Sequence, residues 1–222
     1  MSIISKITRT LNSLFFKGSQ DYWERRYANG GNSGIGSYGD FATFKAKVIN
    51  EFITKNGINS AIEFGCGDGH QLALINYKNY TGVDVSQSAI NRCRAIYSGD
   101  NNKSFLHLSE HSTQTAEIAL SLDVLYHLTE DETYHEYLKK LFLSSTQFVI
   151  IYSTNFESAT TTPILNKHVR HRKFTDWVKK YQPDWECISH TPGELPIGNK
   201  AAPFTIDFFI YKKSKLKSAH ES

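Results

Sequence analysis

Residues 61–69, which read AIEFGCGDG, constrain the fold of this chain more than any other feature. Apolar residues follow a turn signal at Asn56 and Gly57, so we expect a short buried strand that contains Glu63. A strand that ends in glycines and opens into a helix, predicted here over residues 68–76, lets backbone N–H groups approach a ligand closely. The sequence therefore predicts a ligand-binding turn directly after this strand, at Gly65, Gly67 and Gly69.

A second apolar run, residues 80–85, carries Asp84 near its end, about 20 residues after the glycines. A carboxylate at the tip of the neighbouring strand is placed to accept hydrogen bonds from the hydroxyls of a ribose. The dinucleotide fingerprint needs a third glycine at position 70, where this chain has His70, and the sequence contains no P-loop motif. The glycine turn and the carboxylate of Asp84 together indicate a nucleoside-containing cofactor other than a dinucleotide.

The order acid-x-G-x-G-x-G, with Glu63 two residues before Gly65, resembles motif I of the class I S-adenosylmethionine-dependent methyltransferases. The resemblance implies S-adenosylmethionine as the cofactor, with Glu63 and the glycine loop at its methionine part and Asp84 at its ribose. It also implies an α/β fold with a Rossmann-like seven-stranded sheet, mostly parallel with an antiparallel last strand, and helices on both faces. The resemblance covers about residues 20–212 and is specific at residues 63–69 and at Asp84.

The ends of the later strands complete the cofactor site that the resemblance implies. Ser109 and Glu110 follow the third predicted strand, where the family contacts the adenine, although the aspartate common at this point is missing. Residues 118–122 are predicted to form the fourth strand, which ends at Asp123 and whose end should face the transferable methyl group. The predicted cofactor-binding residues are Tyr38, Gly39, Glu63, Gly65, Cys66, Gly67, Asp84, Val85, Ser109, Glu110, Leu122 and Asp123.

Two N-terminal segments precede this core. Residues 3–16 have apolar side chains at helical spacing with basic residues around them, so this helix either packs on its own domain or a partner subunit, or lies on an anionic membrane. Residues 29–39 are rich in glycine, which is typical of a flexible linker. Because aromatic and basic residues precede this run and a helix follows it, we interpret it as a mobile cover, similar to the N-terminal cap of many small-molecule and glycan methyltransferases.

Composition predicts one globular domain over residues 1–222, with the helix and cap at 1–57, the core at 58–212 and a basic tail at 213–222. A net charge of +3 is too small to argue for a nucleic-acid partner. Three widely spaced cysteines predict free thiols, and the chain has neither a long apolar run nor a signal-peptide core. We therefore expect a cytoplasmic protein, with membrane association through residues 3–16 left open and no prediction of the oligomeric state.

Catalysis at a hydroxyl needs a general base, and histidine suits this role because its pKa lies near neutrality. His127 is the first candidate, because it lies just past the fourth strand, where the acceptor should meet the methyl group. The competing interpretations are a structural role for His127 between its leucine neighbours and a contact with the cofactor alone. His168 and His171 are the alternative bases, and no cluster has the spacing of metal ligands, so we expect no metal.

Residues 167–173, which read KHVRHRK, predict an anion site, because arginine binds phosphate and carboxylate bidentately, although a solvated charged face is the other interpretation. Aromatic side chains could stack on a sugar ring. These features favour O-methylation of a small-molecule or sugar acceptor, such as a glycan precursor, that bears an anionic group. The predicted substrate-binding residues are Tyr22, Trp23, Arg26, Arg170, His171 and Arg172.

Three other functions stay open at this stage. A nucleic-acid or protein methyltransferase lacks support, because no long basic stripe with interleaved aromatics and no NPPY-like tetrad is present. A non-catalytic scaffold would not need the glycine loop and Asp84. A nicotinamide-dependent oxidoreductase is disfavoured by His70.

Overall fold

The computed structural model describes residues 17–157, 168–194, 197–199 and 202–214. The helix predicted over residues 3–16 and nearly all of the basic tail therefore lie outside the described residues. No helix in these ranges is long and apolar enough to cross a membrane.

A mixed sheet forms the centre of the described fold. Its strands are β1 (Ser60–Phe64), β2 (Asn79–Asp84), β3 (Lys103–His107), β4 (Ala116–Leu122), β5 (Ser145–Ser153), β6 (Trp185–Thr191) and β9 (Asp207–Lys213), while β7 (Ile197–Asn199) and β8 (Ala202–Phe204) form a separate hairpin. The order is β3-β2-β1-β4-β5-β9-β6. Strands β1 to β5 pair in parallel, and β9 runs antiparallel to both β5 and β6. The predicted seven-stranded, mostly parallel sheet is confirmed.

Helices cover both faces of this sheet. They are α1 (Ser19–Ala28), α2 (Gly39–Asn56), α3 (Gln87–Ile96), α4 (Asp131–Leu143) and α5 (Phe174–Tyr181). Successive strand residues point to opposite faces, so Ile150 belongs to the core that includes α2 and α3, while Ile151 belongs to the core that includes α4 and α5. Both faces of the central strands are buried, which explains the continuous apolar run of β5.

Two local predictions are wrong. The segment after the glycine loop forms only a short 3-10 turn, Gln71–Leu74, because Gly69 adopts a φ of 78° and the Asp68 carboxylate accepts the His70 N–H in a tight turn. The spacing of Thr129 and Glu132 predicts a capping box at the start of a helix, and this capping box is absent. Helix α4 begins after Glu130, whose side chain accepts hydrogen bonds from Ser19 and does not cap the helix.

Candidate functional site

A cavity of about 690 Å³ lies at the carboxyl ends of β1 to β4, beneath α1. Strand β1 lies between β2 and β4, so the cavity opens where the order of the parallel strands reverses, which is the usual ligand position in such sheets. Its volume is within the range of small-molecule pockets. Its wall includes Glu63, Gly65, Asp84, Asp123 and His127.

The glycine loop contributes bare backbone to this region. Gly65 and Gly67 have φ values of 86° and 57°, which side chains rarely adopt. A Cβ atom on Gly65 would lie 2.4 Å from Cγ2 of Val124, and one on Gly67 would lie 2.3 Å from Oγ of Ser33. Only glycine therefore allows the fourth strand and the N-terminal segment to approach the loop this closely.

Asp84 fixes the loop from the neighbouring strand. Its Oδ2 accepts the Gly67 N–H at 2.9 Å and its Oδ1 accepts the Ser86 N–H at 2.9 Å. The side chain is 6% exposed, and this burial raises its pKa, against the effect of the backbone hydrogen bonds. Each carboxylate oxygen has a second lone pair, so Asp84 can also accept ligand hydroxyls.

Glu63 is a second buried carboxyl group in the cavity wall. Its Oε2 accepts the Tyr80 hydroxyl at 2.7 Å. Burial raises the pKa of Glu63 to about 7, although the Tyr80 hydrogen bond and the Lys45 charge oppose the shift. A cation in the cavity would therefore favour the ionised form of this group at neutral pH.

Asp68 attaches the glycine-rich N-terminal run to the glycine loop. Its Oδ2 accepts the Ser33 N–H at 2.9 Å and the Tyr38 hydroxyl at 2.7 Å, while the Asp68 N–H donates to the Ser33 hydroxyl. The Tyr38 ring also stacks on His70 at 4.0 Å. The run is therefore hydrogen-bonded across the loop, which a free linker would not be.

Substitution of Asp68 by alanine should release this segment. Alanine has no acceptor for the Ser33 N–H or the Tyr38 hydroxyl, and a partly buried donor left unpaired costs up to about 1–3 kcal/mol. We expect the Ser33 amide hydrogen to exchange at least about fivefold faster. Hydrogen exchange would measure this, with Asp184→Ala, an exposed change, as the control. Unchanged protection at Ser33 would contradict the role of Asp68.

Helix α1 is held over the cavity by contacts from its first residue and from its middle. Ser19 donates through its N–H and its hydroxyl to Glu130, next to α4. Glu24 accepts the hydroxyls of Ser86 and Ser88, at 2.6 Å each, at the start of α3. Burial alone would raise the pKa of Glu24, but these hydrogen bonds outweigh it and lower the pKa.

His127 lies in the cavity wall with its tautomer determined by a backbone partner. Its Nδ1 is 3.0 Å from the carbonyl oxygen of His168. A carbonyl only accepts, so Nδ1 carries the proton and Nε2 has a free lone pair. Burial lowers the pKa of His127 to about 4, against the effect of this hydrogen bond, so the ring is neutral at pH 7.

Asp123, at the tip of β4, is held by three neighbours. Its Oδ2 is 2.6 Å from the Lys45 ammonium, and its Oδ1 accepts the Tyr126 hydroxyl at 2.8 Å. Its φ of 62° is the left-handed conformation, which aspartate tolerates better than most residues. Gly36 packs directly against the carboxylate, since a Cβ there would lie 2.8 Å from Oδ2.

The cavity brings together part of the predicted site. Its wall contains these predicted residues: Trp23, Glu63, Gly65, Cys66, Asp84, Val85, Leu122, Asp123 and His127. Outside its wall lie Tyr22, Arg26, Tyr38, Gly39, Gly67, Ser109, Glu110, His168, Arg170, His171 and Arg172. In the region predicted to face the adenine, the wall is instead formed by His107 and Leu108, the residues just before Ser109.

The predicted arginine site is engaged with the protein itself. Arg172 donates to the Thr129 carbonyl at 2.8 Å and pairs with Asp131 at 3.0 Å. Arg170 donates to the same carbonyl at 3.2 Å and pairs with Asp131 at 2.9 Å. Both guanidinium groups therefore attach their segment to the start of α4, and anion binding by them stays a prediction.

Asp68, Lys45 and Gln71 were not among the residues predicted from the sequence. Only Asp68 left a signal, because it lies between Gly67 and Gly69 in the glycine loop, and Asp-Gly is a typical turn pattern. Lys45 and Gln71 line the cavity from α2 and from the turn after the glycine loop. Among the described residues, no group of three or more His, Cys, Asp or Glu side chains could hold a metal ion.

Residues 62–144 match a family model described as a methyltransferase domain. The fold is similar to magnesium protoporphyrin IX methyltransferase from Synechocystis PCC 6803 with bound S-adenosylhomocysteine (TM-score 0.60, 13% identity, 88% of this chain and 98% of that chain). It is also similar to the N-methyltransferase NodS from Bradyrhizobium japonicum WM9 (TM-score 0.66, 13% identity, covering 90% of this chain and 100% of that chain). A third similar structure is the methyltransferase domain of bacterial CtHen1-CN (TM-score 0.55, 20% identity, covering 76% of this chain and 97% of that chain). Among curated protein sequences, no significant match was found.

Proposed function

We propose that this S-adenosylmethionine-dependent methyltransferase methylates a hydroxyl group of a small acceptor molecule, with sugars as the favoured class. The enzyme class rests on the methyltransferase domain matched at residues 62–144, and the cofactor on the motif I resemblance at residues 63–69. The residues present suit this cofactor, because the cavity combines bare glycine backbone with the buried carboxyl groups of Glu63 and Asp84.

The observation that carries the proposal is the tautomer and protonation state of the His127 imidazole. The His168 carbonyl leaves Nε2 unprotonated, and burial lowers the pKa of the ring to about 4, so the base is available at neutral pH. The bound cofactor supplies an electrophilic methyl group on its sulfonium sulfur. In the transfer, the acceptor oxygen would form its bond to the methyl carbon as the carbon–sulfur bond breaks and S-adenosylhomocysteine leaves. The O–H proton of the acceptor would pass to Nε2 of His127, which is the general-base role proposed for this residue.

The cover over the cavity supports transfer to a small acceptor. Helix α1 crosses the mouth, held by Glu24 and Ser19, and residues 33–38 are held by Asp68. Such closure excludes water from the reacting groups and leaves room for a small molecule. A long polymer would need these contacts to open.

For the acceptor, Trp23 offers an aromatic wall next to His127, with a ring-centroid distance of 4.9 Å. Aromatic faces and edges of this kind suit a sugar ring. If the acceptor bears an anionic group, Lys17 is the candidate partner, because it is an exposed cation in the cavity wall, whereas Arg170 and Arg172 pair with Asp131.

The test is methyl transfer from radiolabelled S-adenosylmethionine to separate pools of neutral sugars, sugar phosphates, amines, RNA and peptides. We expect label on hydroxyl groups in the sugar pools, and a higher KM for sugar phosphates in Lys17→Met. Label only in RNA, peptides or amines would overturn the acceptor class. Cofactor binding without transfer to any pool would favour a non-catalytic role.

Cofactor affinity should depend on pH through Glu63. Its pKa is about 7 in the protein without ligand, and the positive charges of S-adenosylmethionine favour the carboxylate, so binding releases a proton. Affinity should therefore rise by up to about tenfold as the pH rises from 6 to 8. Calorimetry in buffers of different ionisation enthalpy measures the proton released.

Glu63→Gln should flatten this dependence, whereas the exposed change Glu186→Gln should not. The stability of the ligand-free protein should vary in the opposite sense. Because the folded pKa is raised, the contribution of Glu63 is present below its unfolded value and is lost as the pH rises through about 7. An affinity independent of pH in the wild type would contradict this assignment.

A further inference from the structure

Lys45 is a buried cation whose hydrogen-bonding capacity is mostly unused. Its side chain is 1% exposed and lies in the wall of the cavity. Among the described residues, its only hydrogen-bond acceptor is Oδ2 of Asp123, at 2.6 Å. An ammonium group has three donors, and a buried charge is costly unless it is paired and hydrogen-bonded. Two donors of Lys45 are therefore available to a ligand.

Gln71 has a buried hydrogen-bond acceptor that lacks a donor in the part of the chain that the structure describes. Its side-chain amide donates to the Ala42 carbonyl at 3.1 Å, which orients the group, while its Oε1 is buried with no partner among the described residues. The residue is 5% exposed and also lines the cavity. A buried acceptor without a donor indicates a missing hydrogen-bonding group.

Both side chains line the cavity, and both belong to its wall next to the first turns of α2. Gln71 donates to the Ala42 carbonyl oxygen, and Lys45 lies three residues after Ala42 on the same helix. The charge of Lys45 also acts on the Glu63 carboxyl group in the same wall. The region thus has an ammonium with spare donors, an amide oxygen without a donor and an adjacent carboxyl group.

An α-amino acid group carries the matching set, a carboxylate that accepts and an ammonium that donates. We propose that Lys45 binds the carboxylate, and Gln71 the ammonium group, of the amino-acid end of the cofactor. The two residues then determine specificity for a cofactor that has this end. The inference rests on the proposed function, because it concerns the same cavity.

Three ligands separate the parts of this subsite in calorimetric titrations. They are S-adenosylhomocysteine, S-adenosyl-3-thiopropylamine, which lacks only the carboxylate, and 5′-methylthioadenosine, which lacks the whole amino-acid end. Lys45→Met should lower the affinity for S-adenosylhomocysteine by about 10- to 100-fold. It should change the affinities for the other two ligands by less than about threefold. Gln71→Leu should lower the affinities for S-adenosylhomocysteine and S-adenosyl-3-thiopropylamine, which both carry the ammonium group. It should leave the affinity for 5′-methylthioadenosine unchanged.

The matched control is Lys47→Met, which makes the same change at an exposed position of α2. Retained binding of 5′-methylthioadenosine shows that each variant still folds. Equal loss for all three ligands, or unchanged affinity for S-adenosylhomocysteine, would overturn the assignment of Lys45 and Gln71. If the wild-type chain bound none of the three, the proposed function itself would fail, and the inference with it.

Discussion

Replacement of His127 by alanine is expected to lower kcat by about 10²- to 10⁴-fold, which is the usual contribution of a positioned general base. The affinity for S-adenosylhomocysteine should stay within about threefold, because the side chain is assigned to the acceptor hydroxyl. The physical basis is the Nδ1 contact with the His168 carbonyl, which leaves Nε2 as the basic atom in the cavity. Steady-state kinetics and calorimetric titration on the same preparation measure the two quantities.

The matched control is His190→Ala on the edge strand β6, where the imidazole pairs with Asp207 at 2.9 Å, away from the cavity wall. This variant should keep its turnover. An unchanged kcat in His127→Ala would exclude the base assignment. A large loss of cofactor affinity would show instead that His127 contacts the cofactor.

The same histidine affects stability at acid pH. Its folded pKa, about 4, lies below the unfolded value, so its contribution is present above about pH 6.5 and is lost as the pH falls towards 4. His127→Ala should therefore lose less stability than the wild type between pH 6.5 and 4. Denaturant unfolding at a series of pH values tests this difference.

Replacement of Asp84 by alanine should weaken cofactor binding by roughly 1.5–3 kcal/mol, which is the cost of losing hydrogen bonds to a charged group. This corresponds to a dissociation constant about 10- to 150-fold higher. Besides the ribose contacts, the variant leaves the N–H groups of Gly67 and Ser86 without their acceptor, so the glycine loop loses its support. Calorimetric titration with S-adenosylhomocysteine measures the change.

Asp184→Ala, at an exposed turn, is the control and should bind normally. To separate loop disruption from a lost ligand contact, binding of an analogue without ribose hydroxyls can be compared. We expect the substitution to affect that analogue less. Unchanged affinity for S-adenosylhomocysteine would rule out Asp84 as a ribose ligand.

The first four strands of the sheet followed from the sequence because each of these segments carries its own apolar pattern. The turn after β1 could be predicted because Gly65, Gly67 and Gly69 all adopt positive φ values, a property of the residue type itself. Ser86 caps α3 through a hydrogen bond to Ala89, three residues away. Such features depend on near neighbours in the chain, so one sequence is enough to find them.

The partners of long polar side chains could not be obtained in this way. Arg172 appeared to be an anion ligand, but its carbonyl acceptor at Thr129 lies 43 residues away. Glu130 directly precedes α4, but the donors to its side chain come from Ser19, 111 residues away. A flexible charged side chain can reach many acceptors, and only the packing of the elements selects among them.

The sequence by itself determined the glycine turn and the acid at the tip of β2, because these depend on backbone conformation and on apolar periodicity over a few residues. It also indicated the class of sheet, through the family resemblance at residues 63–69 and Asp84. Tertiary structure alone decided which nitrogen of His127 is free, which carboxylate holds the cover and which buried cation faces the cavity. Those properties come from burial and from contacts between distant segments, such as Lys45 with Asp123, 78 residues apart.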